Sequence, residues 1–292
     1  MAPRTGVARI SAGAVAAGLL AGLILPAAAA EEKKTGLFGP WAATAEVSYV
    51  VTGGNTSTSA LSLATTFSRK WTSDALVFKS YILKSNATTT TRTAQGTVDD
   101  YRILEEKITR KVAENYLLSG QYDRRVSKRL EGQAGLIWDR NRFAGVENRA
   151  IFTAGFGLAF VERPRTQIKS SAGLTHTLRQ YVGQKTESFA GFRFTLGADQ
   201  KILETSKLAS QIIFDDNLKN APDWRFDWTN SATASISRSL ALKVSLRTLY
   251  THVPAMQSLT LLDPLGEPTG LTVPYPLKKF DTFLMTSVVI NF

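Results

Sequence analysis

Long stretches of this chain alternate between apolar and polar residues, and this alternation constrains its fold more than any other feature of the sequence. In the first such stretch the odd-numbered positions from Trp41 to Val51 are apolar or small, while Thr44, Glu46 and Ser48 lie between them. Near the other end, Leu242, Val244 and Leu246 alternate with Lys243, Ser245 and Arg247. A period of two is typical of β-strands with one apolar and one polar face. The chain is therefore predicted to be all-β.

About twelve segments of this kind can be recognised. They lie at 41–52, 57–70, 74–86, 113–125, 129–141, 149–162, 166–179, 187–200, 206–218, 226–237, 241–253 and 280–292. Strands of globular proteins usually have about five or six residues, and most of these segments are twice as long. A tilted strand that crosses a bilayer needs about nine to eleven residues. The segment lengths therefore favour membrane-crossing strands.

The connections between the segments also alternate, between short and long. The short ones are 71–73, 126–128, 163–165 and 238–240, whereas the long ones include 87–112, 142–148, 180–186, 219–225 and 254–279. Short turns at one end and longer loops at the other are typical of outer-membrane barrels. The tight turn Gly53–Thr56 is an exception, because a longer loop would be expected there.

A soluble β-sandwich is the alternative, since its strands alternate in the same way. Here, however, the polar faces are rich in Ser, Thr, Gly and Ala rather than in the Lys and Glu of a solvated sheet. Large aromatic residues also lie near the segment ends, as they do at the lipid interface of a barrel. They are Trp41, Trp71, Phe160 and Phe292 towards one rim, and Tyr49, Trp138 and Tyr250 towards the other. We therefore predict a transmembrane outer-membrane antiparallel β-barrel of about twelve strands.

The first thirty residues have the features of a cleaved secretory signal peptide. Arg4 and Arg9 precede an apolar run that is too short to cross a membrane comfortably, and Ala27–Ala30 supply small residues before Glu31. This predicts three parts: a signal peptide at 1–30, a periplasmic lead-in at 31–40 and the barrel at 41–292. The net charge of +11 does not indicate nucleic acid, because the signal peptide would remove the protein from it.

The chain ends on an alternating strand whose final residue is aromatic. Val288, Ile290 and Phe292 share one face of that strand. A terminal Phe in this position resembles the insertion signal that the barrel-assembly machinery reads. The sequence therefore predicts that machinery as a partner, together with outer-membrane lipid and lipopolysaccharide. It does not predict an oligomeric state.

Several short motifs carry a family resemblance. They are Ser48–Tyr49 with Thr52–Thr56, Gln121–Asp123, Trp138–Phe143 leading into Gly155–Gly157, and Asn291–Phe292. In this order they resemble the salt-induced outer-membrane protein family, a β-barrel family catalogued as a domain of unknown function. The resemblance covers about 41–292. It implies an outer-membrane barrel and carries over no catalytic residues.

Residues suited to catalysis or metal binding are few. Cysteine is absent and only His176 and His252 occur, which excludes thiolate chemistry, disulfides and a multi-histidine metal cage. Asp215–Asn217 and Asp99–Asp100 lack the spacing of a calcium loop. Gly155–Gly157 lies inside a strand, where glycine makes room beside bulky lumen groups. No cofactor and no metal are predicted, and the chain is not expected to be an enzyme.

Charged residues on the polar register are the candidates for the barrel lumen. The basic ones are Lys169, Arg193, Lys243 and Arg247, which we expect on one wall, with Glu46 and Asp139 elsewhere around the ring. Such a lumen favours a narrow channel with a weak preference for anions. The alternative is a non-conducting structural or stress-response barrel, filled by ion pairs, whose outer loops bind a ligand. A lipid-active enzyme that uses a histidine is third.

The segment from Asp100 to Tyr116 allows two structures. Leu104, Ile108 and Val112 recur every four residues, as on an amphipathic helix. A strand that projects beyond the membrane fits part of the same segment. The sequence leaves both possibilities open.

Overall fold

The residues that the structure describes form fourteen β-strands. The computed structural model describes residues 38–52, 56–96, 101–141, 144–262, 268–277 and 279–292. The strands are β1 (Ala42–Thr52), β2 (Thr56–Lys70), β3 (Asp74–Gly96), β4 (Tyr101–Arg125), β5 (Leu130–Asn141), β6 (Val146–Glu162), β7 (Thr166–Tyr181), β8 (Glu187–Leu203), β9 (Ser206–Asn217), β10 (Arg225–Ser235), β11 (Leu240–Thr251), β12 (Met256–Leu262), β13 (Pro268–Pro276) and β14 (Phe280–Asn291). The predicted signal peptide and most of the lead-in lie outside the described residues and stay predictions.

Twelve of the strands form one closed antiparallel barrel. Its order is β1-β14-β11-β10-β9-β8-β7-β6-β5-β4-β3-β2, while β12 and β13 form a separate two-stranded sheet. Closure occurs where β1 pairs with β14, for example Val47 with Val288. Because a closed barrel has no edge strands, all its backbone groups can pair within lipid. The predicted barrel of about twelve strands is confirmed.

Side chains alternate between an exposed outer face and a buried lumen. The outer face carries large apolar residues such as Leu284, which is 73% exposed, and Leu174, which is 66% exposed. Inward-facing residues include Arg247, which is 1% exposed, and Asp227, which is also buried. Apolar outside and polar inside is the reverse of a soluble sandwich and suits a lipid environment. The sandwich alternative is therefore wrong.

We name the two ends of the barrel by their connections. The turn end carries the short turns and the C-terminal Phe292, and the loop end carries the longer connections. At the loop end, β3 and β4 continue as a paired ribbon from Asn86 and Lys111 to Gly96 and Tyr101. The open question over residues 100–116 is thus resolved: all of them from 101 onward are strand. The described residues include no helix long and apolar enough to span a membrane.

The connection between β11 and β14 differs from the sequence expectation. It was expected to be a long Pro-rich loop, but β12 and β13 pair within it, for example Leu259 with Val273. Pairing of alternating residues at 256–262 with 268–276 gives the segment backbone partners that an irregular loop would lack. Ala255, just before β12, is buried and lies against Gly145 in the β5–β6 connection. Since β11 and β6 lie on opposite sides of the barrel, this segment crosses the loop-end mouth.

Two glycines of the Gly155–Gly157 motif have different roles. A side chain at Gly155 would clash with the backbone of Ala172 and Gly173 on the neighbouring strand. Gly155 therefore permits a close backbone approach rather than making room for a lumen side chain, and the expectation for it is wrong. At Gly157 an added Cβ would lie 2.8 Å from the side-chain nitrogen of Gln133, so this glycine does make room beside a lumen group.

Candidate functional site: the barrel lumen

All six charged residues expected in the lumen face inward, and each forms an ion pair. Lys243 Nζ lies 2.9 Å from Glu46 Oε1 and Lys169 Nζ lies 3.4 Å from Glu131 Oε1. Arg193 Nε donates to Asp215 Oδ1 at 2.6 Å, and Arg149 Nε donates to Asp139 Oδ1 at 2.8 Å. Arg247 pairs with Asp227 through Nε at 2.8 Å and through a shorter bond from Nη2.

These pairs contradict the expected separation of charges into two walls. Glu46 was expected away from the basic residues, yet it binds Lys243 directly. Asp139 likewise binds Arg149 on the next strand. The sequence could not show this, because β1 and β11 come together only through β14 when the barrel closes. Each charge is compensated locally, so no uniformly basic wall remains among these six positions.

A belt of ion pairs continues around the loop-end half of the lumen. Asp215 accepts hydrogen bonds from both Arg193 and Arg225, the latter at 2.8 Å. Arg179 binds Asp223 at 2.6 Å, and Asn217 Nδ2 donates to the same carboxylate at 2.9 Å. Asp223 belongs to the β9–β10 connection. This loop is therefore drawn inward over the rim rather than projecting into solvent.

An apolar cluster occupies the lumen beside this belt. Tyr81, Leu83, Leu117 and Phe283 pack together, and Ala64, Ile137, Leu249 and Met285 lie against them. Phe283 comes from β14 and Tyr81 from β3, so the cluster joins two strands that are not neighbours in the sheet. Sequence reasoning missed this cluster because it treated the lumen register as small and polar. The available signal was that the bulky residues Tyr81 and Phe283 occupy inward-facing positions of their strands, between lipid-facing ones.

The buried, inward-facing residues of this part of the lumen, which include those of the belt and the cluster, are together called the packed layer. Its members face inward and are buried in the isolated chain; they are Tyr81, Leu83, Leu117, Asp139, Ile151, Thr177, Arg179, Arg193, Ile213, Asp227, Arg247 and Phe283. Tyr81 and Phe283 are each 3% exposed. Side chains that line a water-filled pore would remain accessible to solvent. Nearer the turn end, Lys243 and Glu46 retain 25% and 28% exposure of their side chains.

One buried donor in the packed layer has no partner. Arg247 uses Nε and Nη2 for Asp227, while its Nη1 lacks a hydrogen-bond acceptor among the described residues. A buried unsatisfied donor costs free energy. The arginine is therefore held mainly by Asp227, and its position depends on that single carboxylate.

The remaining candidates lie outside the lumen. His176 faces outward on β7, and Ser188 Oγ lies 3.3 Å from its Nε2. No carboxylate of the described residues lies within hydrogen-bond distance of this histidine, so the pair lacks the third group that orients a catalytic histidine. Sequence reasoning did not single out Ser188. His252 stacks on Trp224 at 5.2 Å and its Nδ1 lies 2.9 Å from Tyr250 Oη.

Asp215 and Asp216 do not form a cation site. Asp215 faces inward and is engaged by two arginines, while its neighbour faces the other side of β9. The described residues contain no group of three or more His, Asp or Glu side chains that could hold a metal ion. Asp99 and Asp100 lie outside the described residues.

The fold and this lumen define a transmembrane β-barrel of the outer-membrane type. The chain belongs to the family described as Protein of unknown function, DUF481, whose model matches residues 45–260. The expected family is therefore confirmed. No match was found among curated proteins.

Similar solved structures are outer-membrane barrels. An anion-selective porin from Comamonas acidovorans has 11% identity and a TM-score of 0.38, over 86% of this chain and 99% of the porin. OmpT, an outer membrane protein of Vibrio cholerae, has 8% identity and a TM-score of 0.36, over 86% and 96%. The outer membrane channel DcaP of Acinetobacter baumannii has 8% identity and a TM-score of 0.35, over 86% and 95%. These values are too low to transfer any function.

Proposed function

We propose that this protein is a non-conducting barrel of the outer membrane that anchors an extended β-ribbon at its loop end. The packed layer is the observation that carries this proposal. Its charged members are neutralised by neighbours and its apolar members are buried inside the barrel, which argues against a continuous path for water and ions. Of the functions considered from the sequence, this supports the structural barrel over the anion-preferring channel.

The ribbon formed by β3 and β4 supports the anchoring role. Pairing of β2 with β3 stops at Thr89, and pairing of β4 with β5 stops at Asn115. At about 3.3 Å per residue, the ribbon extends roughly 23 Å beyond the end of β2 and about 46 Å beyond the end of β5. Exposed charged residues such as Glu106, Lys107 and Arg110 lie along it, so it is suited to contact polar partners such as lipopolysaccharide.

Assembly would follow the usual route for such barrels. Phe292 N–H donates to Ala43 O at 3.0 Å, and its ring meets that of Phe38 at 5.8 Å. The C-terminal residue thus helps to join β14 to β1, which is the contact that closes the barrel. This supports Val288, Ile290 and Phe292 as the signal for the barrel-assembly machinery, and the outer membrane as the location.

Conductance measurements on purified, refolded protein in planar bilayers test this proposal. The wild-type barrel is expected to give no current steps. The triple variant Tyr81→Ala, Leu117→Ala and Phe283→Ala removes most of the apolar cluster and is expected to produce steps. The matched control changes the outward-facing neighbours on the same strands, namely Phe78→Ala, Leu118→Ala and Leu284→Ala, and should remain silent. Reproducible steps from the folded wild type would refute the proposal and restore the channel.

Ester hydrolysis in lipid is a second candidate, because Ser188 and His176 lie together on the lipid-facing side. A phospholipid-hydrolysis assay on the wild type, with Ser188→Ala and His176→Ala as controls, tests it. Since the histidine lacks an acidic partner among the described residues, we expect no hydrolysis above that of the two variants. Turnover that both substitutions abolish would establish the enzymatic role.

A further inference from the structure

Basic residues are concentrated at the turn end of the barrel. The five turns and their flanks, at 69–74, 124–131, 162–166, 199–207 and 236–239, contain eleven Lys and Arg and five Asp and Glu within 32 residues. The loop-end connections contain eleven Lys and Arg and eight Asp and Glu within 86 residues; they lie at 52–56, 86–113, 141–146, 181–188, 217–225 and 251–280. The turn end is therefore the strongly positive end. We call its Lys and Arg residues the basic collar.

Much of the basic collar is not used to stabilise the fold. Four of its members are exposed and have no ion pair among the described residues; they are Lys128, Arg129, Arg163 and Arg238. Two more make only loose pairs, Arg124 with Asp74 at 3.6 Å and Arg125 with Glu131 at 3.9 Å, whereas Lys201 is closely paired with Glu204 at 2.8 Å. In the lumen, by contrast, arginine–carboxylate pairs are buried and short. Exposed charges held so loosely remain available to an external anion.

Large apolar residues lie beside these charges. Val126, Leu203 and Ile236 are all exposed at the turns themselves. Trp71 is also exposed, and the guanidinium of Arg69 lies 4.8 Å from the centre of its ring. Tryptophan and arginine arranged in this way are typical of the headgroup region, where one part of each side chain is apolar and the other polar. The collar is thus level with lipid headgroups rather than surrounded by water alone.

We propose that the basic collar binds the phosphate groups of anionic phospholipids in the leaflet that surrounds the turn end. Guanidinium groups bind phosphate oxygens through paired, charge-assisted hydrogen bonds, and Lys and Arg near an anionic surface each strengthen binding. Short turns of such barrels lie on the periplasmic side, so this leaflet is the one opposite lipopolysaccharide. This inference does not depend on whether the lumen conducts.

A fluorophore placed at the collar tests which lipid collects there. Because the chain has no cysteine, Thr72→Cys in the β2–β3 turn gives a single labelling site, and Thr186→Cys gives one at the loop end. The labelled protein is refolded into phosphatidylcholine vesicles that contain a minority of phosphatidylglycerol. Two vesicle preparations are compared: in one the phosphatidylglycerol carries brominated chains that quench the fluorophore, and in the other the phosphatidylcholine does. Brominated phosphatidylglycerol is expected to quench the Thr72→Cys label more strongly than its mole fraction in the vesicle would predict. The Thr186→Cys label should follow the mole fraction.

Two matched quartets separate local binding from net charge. The first changes Lys128, Arg129, Arg163 and Arg238 to Gln, and the second changes the exposed loop-end residues Arg110, Lys185, Lys219 and Lys279 to Gln. Each collar charge is worth roughly fivefold in lipid association. Lys128 and Arg129 lie on the turn next to the Thr72→Cys label, so the loss of these two charges alone should lower the relative association constant there roughly 25-fold. The second quartet should leave it unchanged.

Salt provides a test that leaves every collar charge in place. Enrichment of phosphatidylglycerol at the Thr72→Cys label should fall when the ionic strength is raised towards 1 M, where the screening length is about 3 Å. Equal quenching at both labels, or enrichment that survives high salt and the first quartet, would overturn the proposal. Retention of the wild type on insoluble cell-wall polymer through the same four residues, without lipid enrichment, would overturn it in favour of a cell-wall polyanion.

Discussion

Removing the guanidinium of Arg247 is expected to destabilise the barrel through the carboxylate that it leaves behind. In the variant Arg247→Met, Asp227 loses its two bonds from the guanidinium and keeps a hydroxyl contact with Thr229 at 3.5 Å. Asp227 is buried, so water cannot fully replace the lost partner. The converse variant, Asp227→Leu, leaves the guanidinium of Arg247 buried and without a counter-ion.

The expected size follows from the burial of both partners. Breaking a buried ion pair by removing one member costs about 3–5 kcal/mol, whereas replacing both members by apolar residues is often close to neutral. Arg247 is almost completely buried and Asp227 nearly so, so solvent screening reduces this free-energy cost only slightly. Each single variant should therefore lose about 3–5 kcal/mol of unfolding free energy. The double variant should be more stable than either single variant, with a coupling energy of at least about 3 kcal/mol.

Urea unfolding of the barrel in lipid vesicles, followed by tryptophan fluorescence, measures these free energies. The exposed pair Lys201–Glu204, with Nζ and Oε2 2.8 Å apart, supplies the control, and Lys201→Met should leave the unfolding midpoint almost unchanged. Additive losses in the double variant would refute the reasoning, because they would show that the two charges do not stabilise each other. Single losses as small as that of the control would show that water reaches the packed layer.

Three further predictions concern the ends of the barrel. Deletion of Phe292 removes the contacts with Ala43 and Phe38 and should leave protease-sensitive protein in the periplasm; normal heat-modifiable barrel would contradict this. Gly145 has a positive φ of 79°, and the methyl group of a Gly145→Ala variant would lie against Ala255, so proteolysis of the β12–β13 segment should become faster. The control Gly183→Ala places its methyl group in open space and should not have this effect. The hydrogen bond from Lys201, together with Arg165, lowers the pKa of Glu204 below its usual value of 4.5. The contact therefore stabilises the folded protein above pH 4.5, and this stabilisation is lost as the pH falls through the lower pKa of the folded state. An NMR titration midpoint of Glu204 at or above 4.5 would contradict the contact.

The sequence by itself determined the barrel wall. Alternation at 242–250 places Leu242, Val244 and Leu246 on the lipid side and Lys243 and Arg247 on the other, and the structure has the same arrangement. This works because the period of two is a local property of an extended backbone. Strand length and the alternation of short and long connections are equally local, so strand number and barrel class followed from them. The terminal strand from 280 onward was correct for the same reason.

Only the tertiary structure decided what fills the lumen. The pattern shows that Glu46 and Lys243 leave the lipid side, but not that closure through β14 brings the two charges within 2.9 Å. It gives no sign that Tyr81 and Phe283, about two hundred residues apart, share one apolar cluster. Such contacts depend on the strand order and on the stagger between strands around the closed ring. A period of two encodes the face of a side chain and not its partner across the barrel.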